Sequence, residues 1–236
     1  QSRGLGDVYK RQVHNFTRTT AHASQQRLLK ALDTAHFKVA SGATSYTQAV
    51  QEAVSSIVDT QTQVVYPTGH VDTIETAVLR AVRTGVAQAS GNMAVQGMEE
   101  RDWDIVLVSA HLGARYGDGG QNPGNHFWWQ GKFYSRTGRT PDLPLFAEST
   151  GYGTGEGLCG WNCRHTFFAV FPELGDPPQW TQEQLRELNA RNIEWNGKKY
   201  TAYEISQMQR ARERNVRRWK KRYLAEDAAG LDPTDS

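Results

Sequence analysis

The stretch from His111 to Cys163 is rich in glycine and aromatic residues and has few apolar stripes at helical spacing. Such a composition is typical of turns, loops and short strands. Apolar runs at residues 104–109 and 166–171 border the stretch and predict two buried strands. This part of the chain is therefore expected to form a small β-rich and loop-rich core.

Helical patterns occupy the residues before this core. Apolar residues recur at helical spacing in two segments: Val50, Ala53, Val54, Ile57 and Val58, then Val71, Ile74, Val78, Val82 and Val86. Ser45 with Gln48 matches a capping box at the start of the first segment. A Tyr-Pro-Thr-Gly break at 66–69 separates the two segments, and Gly91 is the predicted end of the second.

The C-terminal part carries three local signals. The pairs at 181–184 and 201–204 (Thr with Gln, then Thr with Glu) match capping boxes, and Asn-Gly at 196–197 predicts a hairpin turn. A long helix is then expected to run to about Leu224. Residues 226–236 are expected to form a disordered tail.

These patterns predict the α+β fold class. We expect an N-terminal helical region at 13–98, a Gly- and aromatic-rich α+β core at 99–175, and a C-terminal hairpin with a long basic helix at 176–225. The chain does not begin with Met. Residues 1–12 are interpreted as non-native or disordered sequence, a genuine flexible arm being the alternative, and do not enter the fold prediction.

Composition excludes two classes of protein. No apolar run approaches the roughly 20 residues of a membrane span, so no membrane partner is expected. Two cysteines in 236 residues argue against a disulfide-stabilised secreted fold and favour synthesis in a reducing cytoplasm. The net charge of +2 is too small to indicate a nucleic-acid partner by itself.

A candidate metal site lies in the sequence Cys159-Gly-Trp-Asn-Cys163-Arg-His165. Thiolate and imidazole groups at such spacing can hold zinc, and a fourth ligand could come from His111 or His126. The predicted ligand set is Cys159, Cys163, His165 and His111. The alternative is that both cysteines pack as small apolar side chains while His165 caps a turn.

Other segments carry weaker chemical signals. The Gly-rich run at 151–157 lacks the Gly-Lys-Ser/Thr ending of a phosphate loop and the glycine spacing of a dinucleotide fingerprint, so a structural loop with glycines at positive φ is expected. The His-Phe-Trp-Trp patch at 126–129 is expected to fill the core or an interface. No catalytic motif is present, and no catalytic residue is assigned.

The last predicted helix is strongly basic. Between residues 207 and 223 it carries eight Arg and Lys side chains against the single acidic Glu213, a net charge of +7. The residues assigned to nucleic-acid or partner binding are Arg210, Arg214, Arg217, Arg218, Lys220 and Lys221. Such a stripe can neutralise phosphates, an acidic protein being an equal alternative and a merely solvated face a third.

Several motifs together resemble the phage minor capsid protein 2 family and, more distantly, MuF-like head morphogenesis proteins. The similarity covers roughly residues 45–225. Its most specific part is the Thr-Gly-Tyr-Gly-Thr-Gly-Glu-Gly-Leu-Cys-Gly-Trp-Asn-Cys-Arg-His segment at 150–165, followed by Trp-Gln-Gly-Lys at 129–132. The residues matching family motifs are Arg115, His126, Trp129, Gln130, Gly131, Lys132, Gly151, Gly153, Gly155 and Gly157. An insertion at 116–125 departs from the family pattern and is expected to be a surface loop.

The resemblance implies a structural protein of the virion that acts in head assembly near the portal, with portal and other capsid proteins as partners and phage DNA as a further candidate. It implies no established cofactor and no catalysis, although zinc remains a candidate ligand. Two alternative functions follow from the residues themselves: a zinc-dependent enzyme acting on nucleic acid or cell wall, and a DNA-binding accessory protein.

Overall fold

The computed structural model of the chain describes residues 22–58, 63–65, 71–175 and 178–230. The predicted opening segment at 1–12, the break at 66–69 and the end of the predicted tail at 231–236 lie outside these residues. The described residues form seven α-helices and small antiparallel sheets, which confirms the α+β class. Among them, no helix combines the length and hydrophobicity that a membrane crossing requires.

Three helices build the N-terminal region. The helices are α1 (His22–Ala40), α2 (Tyr46–Ile57) and α3 (Ile74–Glu100), and the strands β1 (Gln63–Val65) and β2 (Val71–Thr73) pair antiparallel between α2 and α3. The predicted capping box at α2 is only half formed. Ser45 accepts a hydrogen bond from the Gln48 backbone N–H, but the Gln48 side chain donates to Glu52 instead of returning to Ser45.

Most residues of the predicted apolar stripes meet in a first core, but Val71 lies in β2 instead of the helix and is exposed. Ala53 and Ile57 of α2 pack with Val78 and Val82 of α3 and with Leu32 of α1, and all five are buried. This packing removes the apolar faces of all three helices from water, the main favourable contribution to their association. Val58 lies just beyond α2 and is exposed, so the predicted stripe ends one residue earlier than expected.

The prediction that Gly91 ends the second helix is wrong. α3 continues without interruption to Glu100, and Gly91 is buried inside it. A Cβ at this position would lie 3.0 Å from Tyr152 Oη and 3.4 Å from Cys159 Sγ. Gly91 therefore lets α3 approach the central core closely, a role that sequence does not distinguish from a helix end.

The central core is a three-stranded antiparallel sheet of order β4-β3-β5, covered on one side by the second half of α3. Its strands are β3 (Ile105–Val108), β4 (Phe133–Ser135) and β5 (Phe167–Ala169). β3 and β5 fall inside the two predicted strands. The short helices α4 (His126–Trp129) and α5 (Phe146–Thr150) lie in the connections. A second apolar core forms here around Trp129, Tyr134 and Phe146.

The C-terminal part follows its local signals closely. A 3-10 turn (Pro172–Leu174) precedes α6 (Gln182–Glu187), the hairpin β6 (Ile193–Trp195) and β7 (Lys198–Tyr200), and α7 (Ala202–Ala228). Both capping boxes form in full, and the two turn residues of the hairpin adopt positive φ. Residues 226–228, predicted as tail, are helical, and an ion pair between Arg222 and Glu226 one turn apart supports this extension of α7.

Candidate functional site

The first candidate site is a buried group of side chains that we call the His–Cys centre, defined by His126, Cys163 and His165. One potential ligand atom from each residue lies within 4.8 Å of the other two. The three residues expose 2%, 4% and 2% of their surface. Among the described residues, no further His, Cys, Asp or Glu joins this group.

His126, the first histidine of the centre, is positioned by hydrogen bonds between residues that are close in sequence. His126 begins α4, whose N-cap residue Asn125 accepts a hydrogen bond from the Trp128 backbone N–H at 3.2 Å. The Asn125 side chain also donates to the Gly120 carbonyl oxygen at 2.7 Å. The predicted surface loop at 116–125 is thereby tied to the helix that carries the histidine.

The hydrogen bonds of the two imidazoles determine their tautomers. His126 Nε2 lies 2.8 Å from the Glu156 carbonyl oxygen, and His165 Nε2 lies 2.9 Å from the side-chain oxygen of Gln130. Carbonyl oxygens only accept, so each Nε2 carries the proton and donates it. The Nδ1 atom of each ring therefore carries a lone pair and no proton. Cys163 Sγ lies 3.7 Å from His165 Nδ1.

The structure brings together only part of the predicted ligand set. Cys163 and His165 belong to the centre, and His126 joins them. His111 lies outside the group of ligand atoms, although its ring stacks on that of His165 with 4.2 Å between centroids. Cys159 is also outside, packed in the second core near Gly91 of α3.

Burial controls the protonation of the centre. Desolvation lowers the pKa of His126 to about 4 and that of His165 to about 2. Both imidazoles are therefore neutral at neutral pH, the form that can bind a metal ion. Burial also raises the pKa of the Cys163 thiol, so the thiol keeps its proton unless a cation compensates the charge.

The Gly-rich run predicted as a structural loop wraps around this centre. Gly151 and Gly153 adopt positive φ, as expected. Gly155 and Gly157 are required for another reason, because a Cβ on either would overlap a neighbouring group: the Trp161 ring at Gly155, and the Thr150 and Gly151 carbonyls at Gly157. Close approach of a tryptophan ring thus explains the glycine at 155, and close approach of backbone on backbone explains the glycine at 157.

Each residue of the Trp-Gln-Gly-Lys motif has a distinct structural role. Trp129 is fully buried and donates from Nε1 to the Pro123 carbonyl oxygen at 3.0 Å. Gln130 accepts from the His111 backbone N–H at 3.0 Å and from His165. Gly131 has φ +69°, and Lys132 Nζ lies 5.7 Å from the Trp128 ring centre. The role of Gln130 in orienting His165 has no signal in the sequence beyond the motif itself.

A cleft connects the centre with the last helix. His126, His165 and His111 line one wall, and residues from Ala202 to Glu213 of α7 line the other. Arg115 and Arg164 also face the cleft from the core. Arg115 donates to the carbonyl oxygens of Glu156 and Trp161, which fixes its guanidinium beside the Gly-rich loop.

The second candidate site is the basic face of α7, defined by Arg210, Arg214, Arg217 and Lys221. Steps of four, three and four residues place these side chains on one side of a helix. None of the four forms an ion pair within the described part of the chain. Arg218 and Lys220, also without ion pairs there, flank the face.

The apolar side of α7 is not covered by other residues that the structure describes. None of its residues is buried, and the large side chains near its end are about half exposed: Val216, Trp219, Tyr223 and Leu224. Trp219 is held between basic neighbours, with the Arg222 guanidinium 5.3 Å from its ring centre. The second half of α7 therefore offers both a charged and an apolar surface to solvent.

Comparison with known proteins agrees with these motifs. A family model described as phage minor capsid protein 2 matches residues 7–235, nearly the whole chain. The chain belongs to the phage minor capsid protein 2 family. No curated protein and no solved structure gives a significant match.

Family membership makes the chain a structural phage protein and implies a location in the virion with other phage structural proteins as partners. The family's structural role favours a non-enzymatic function over the zinc-dependent enzyme.

Proposed function

We propose that the chain is a minor component of a tailed-phage head, that it acts in head assembly near the portal, and that α7 contacts the packaged DNA. Family membership supports the head component. The observation that carries the DNA contact is the basic face of α7, which is exposed and has no acidic partner within the described residues.

The dimensions of the basic face suit a duplex. From Arg210 to Lys221 the helix rises by about 16 Å, a length over which B-DNA carries about ten phosphate charges. Arg218 and Lys220 widen the charged surface beyond a single row. A polyanion of uniform charge can use all these side chains at once, whereas an acidic protein surface would have to match their positions. This difference favours DNA over an acidic protein.

Fluorescence anisotropy with a labelled DNA duplex tests this contact. Neutralising the basic face in one variant (Arg210→Gln, Arg214→Gln, Arg217→Gln and Lys221→Gln) removes four phosphate contacts. We expect the slope of log affinity against log salt to become shallower by about 3 to 4, because each contact contributes about 0.9. Affinity at low salt should fall at least tenfold.

A matched control removes the same charge from exposed positions elsewhere: Lys30→Gln, Arg186→Gln, Lys198→Gln and Lys199→Gln. It should keep the wild-type slope to within about one unit. Equal losses in both variants would show that net charge, not α7, drives binding. A wild-type protein that does not bind the duplex would rule out the DNA contact and favour an acidic protein partner.

The location in the particle needs a separate experiment. Cross-linking of purified virions followed by mass spectrometry should detect the chain at low copy number and give cross-links from Lys220 or Lys221 to the portal protein. Absence of the chain from particles contradicts the head role. Presence with cross-links confined to major capsid protein contradicts only the position near the portal.

A further inference from the structure

The donor set of the His–Cys centre matches a specific class of metal ion. One thiol and two imidazoles are soft and intermediate donors, which suit zinc and exclude the hard cations Mg²⁺ and Ca²⁺. Donors around tetrahedral zinc lie about 3.5 Å apart, given bonds of about 2.0–2.3 Å. The ligand atoms of His126, Cys163 and His165, all within 4.8 Å of one another, need to move only slightly to reach this spacing.

The second layer of contacts is already arranged as metal sites require. A histidine that binds a metal through one ring nitrogen commonly donates its other N–H to a carbonyl or carboxylate oxygen. Here His126 donates to the Glu156 carbonyl and His165 to the Gln130 side-chain oxygen, so neither Nδ1 atom carries a proton and each has a lone pair that can bind a metal ion. Gln130 is itself oriented by the His111 backbone N–H. The tautomers and the ring orientations are therefore set without a metal.

We propose that His126 Nδ1, Cys163 Sγ and His165 Nδ1 bind one zinc ion, with a fourth coordination position open to the cleft beside α7. The Cys163 thiol releases its proton to solvent when the ion binds. Within the described part of the chain no fourth side chain of a suitable type joins the group, while both histidines line the cleft. His111 stacks on the site as a neighbour, and Cys159 packs in the core behind it.

The surroundings of the open position are positively charged. Arg115 and Arg164 line the cleft from the core, and Arg210 lines it from α7, against the single carboxylate of Glu213. An anion that enters the cleft would contact the zinc ion and the guanidinium groups of the three arginines. The fourth position therefore favours an oxyanion such as phosphate over a neutral ligand.

Metal analysis of the purified full-length protein tests the ion and its ligands. Wild type should hold about one zinc per chain after gel filtration, and Cys163→Ala should hold less than a tenth of that. Cys159→Ala is the matched control, because Cys159 is buried to the same degree, four residues away, and lies outside the centre. It should keep the full zinc content.

Three results would overturn the assignment: a wild-type protein without stoichiometric metal, stoichiometric copper in place of zinc, or full zinc content in Cys163→Ala. Circular dichroism of each variant shows whether it folds. Should Cys163→Ala fail to fold, the test moves to the wild-type protein with cobalt in place of zinc. A thiolate-to-cobalt charge-transfer band and strong tetrahedral visible bands support the site, whereas weak octahedral bands reject it.

The open position has its own test in the cobalt protein. Inorganic phosphate should shift the visible bands in a saturable way, and Arg164→Gln should weaken the apparent affinity for phosphate at least threefold. A spectrum that does not respond to phosphate at any concentration shows that the fourth position is closed. This outcome leaves the DNA contact of α7 unaffected, because the zinc ligands lie outside the basic face and only Arg210 is common to the two surfaces.

Discussion

The His–Cys centre and the basic face of α7 carry their polar groups in opposite ways. In the centre, each imidazole is buried and hydrogen-bonded to a carbonyl oxygen of another segment. On the basic face of α7, the four side chains that define it are exposed and form no ion pair within the described residues. The centre depends on exact positions, whereas the helix needs only a density of charge.

This difference shows where each region is sensitive to change. Removing the hydrogen-bond partner of a buried polar group destabilises the protein, because the remaining donor or acceptor is buried without a partner and without water. Exposed charges on a helix have little effect on folding and act mainly on a partner outside the chain. Substitutions in the centre should therefore alter stability, and substitutions on α7 should alter binding.

The same residue type in both regions gives the sharpest contrast. Trp129→Ala removes a fully buried ring beside the centre and should lower the free energy of unfolding by about 3–5 kcal/mol. Trp219→Ala on α7, where the side chain is 52% exposed, should cost about 0.5 kcal/mol. Urea denaturation monitored by circular dichroism measures both. Similar losses in the two variants would contradict the view that the exposed side chains of α7 contribute little to stability.

A single added methyl group tests the packing around the centre. Gly157→Ala would overlap the Thr150 and Gly151 carbonyls and should cost about 3 kcal/mol, because backbone atoms cannot move aside cheaply. In Gly97→Ala the Cβ would meet only the end of the Arg101 side chain, at 3.5 Å. This second variant should raise the free energy of unfolding by about 0.5–1 kcal/mol through helix propensity. A Gly157→Ala protein as stable as wild type would show that the loop is not tightly packed.

Protonation of His126 is expected to have a smaller effect than Trp129→Ala or Gly157→Ala, and this prediction concerns the chelator-treated protein. Burial lowers the pKa of His126 to about 4, against about 6.5 in the unfolded chain. Between these pH values the unfolded state binds more protons than the folded state. The contribution of His126 to the free energy of unfolding is therefore fully present above pH 6.5 and decreases as the pH falls toward 4. From pH 7 to pH 5, this residue alone should reduce the free energy of unfolding by about 2 kcal/mol.

The variant His126→Gln isolates this contribution from those of other titrating groups. Its free energy of unfolding should depend less steeply on pH than that of wild type in the same interval. The α7 variant with four neutralised basic residues should instead keep the wild-type steepness. Equal steepness in wild type and His126→Gln would mean that His126 is accessible to protons in the folded state.

Local sequence was enough to predict the elements whose signals lie within a few residues. The capping boxes at Thr181 and Thr201, the Asn196-Gly197 turn and the basic face of α7 all depend on neighbours in the chain. The two central strands were also predictable, because short apolar runs bordered by turn residues favour buried strands. The β1–β2 hairpin, with strands of only three residues, was not predicted.

Only the tertiary structure decided the composition of the His–Cys centre and the role of Gly91. His126 and Glu156 are 30 residues apart, and Gln130 and His165 are 35 apart, so no local pattern relates them. The close cysteine pair suggested that both thiols act together, yet the fold turns Cys163 toward the histidines and Cys159 toward α3. The sequence provides the candidate metal ligands. The packing of the Gly-rich loop against α4 and β5 determines which of these ligands come together.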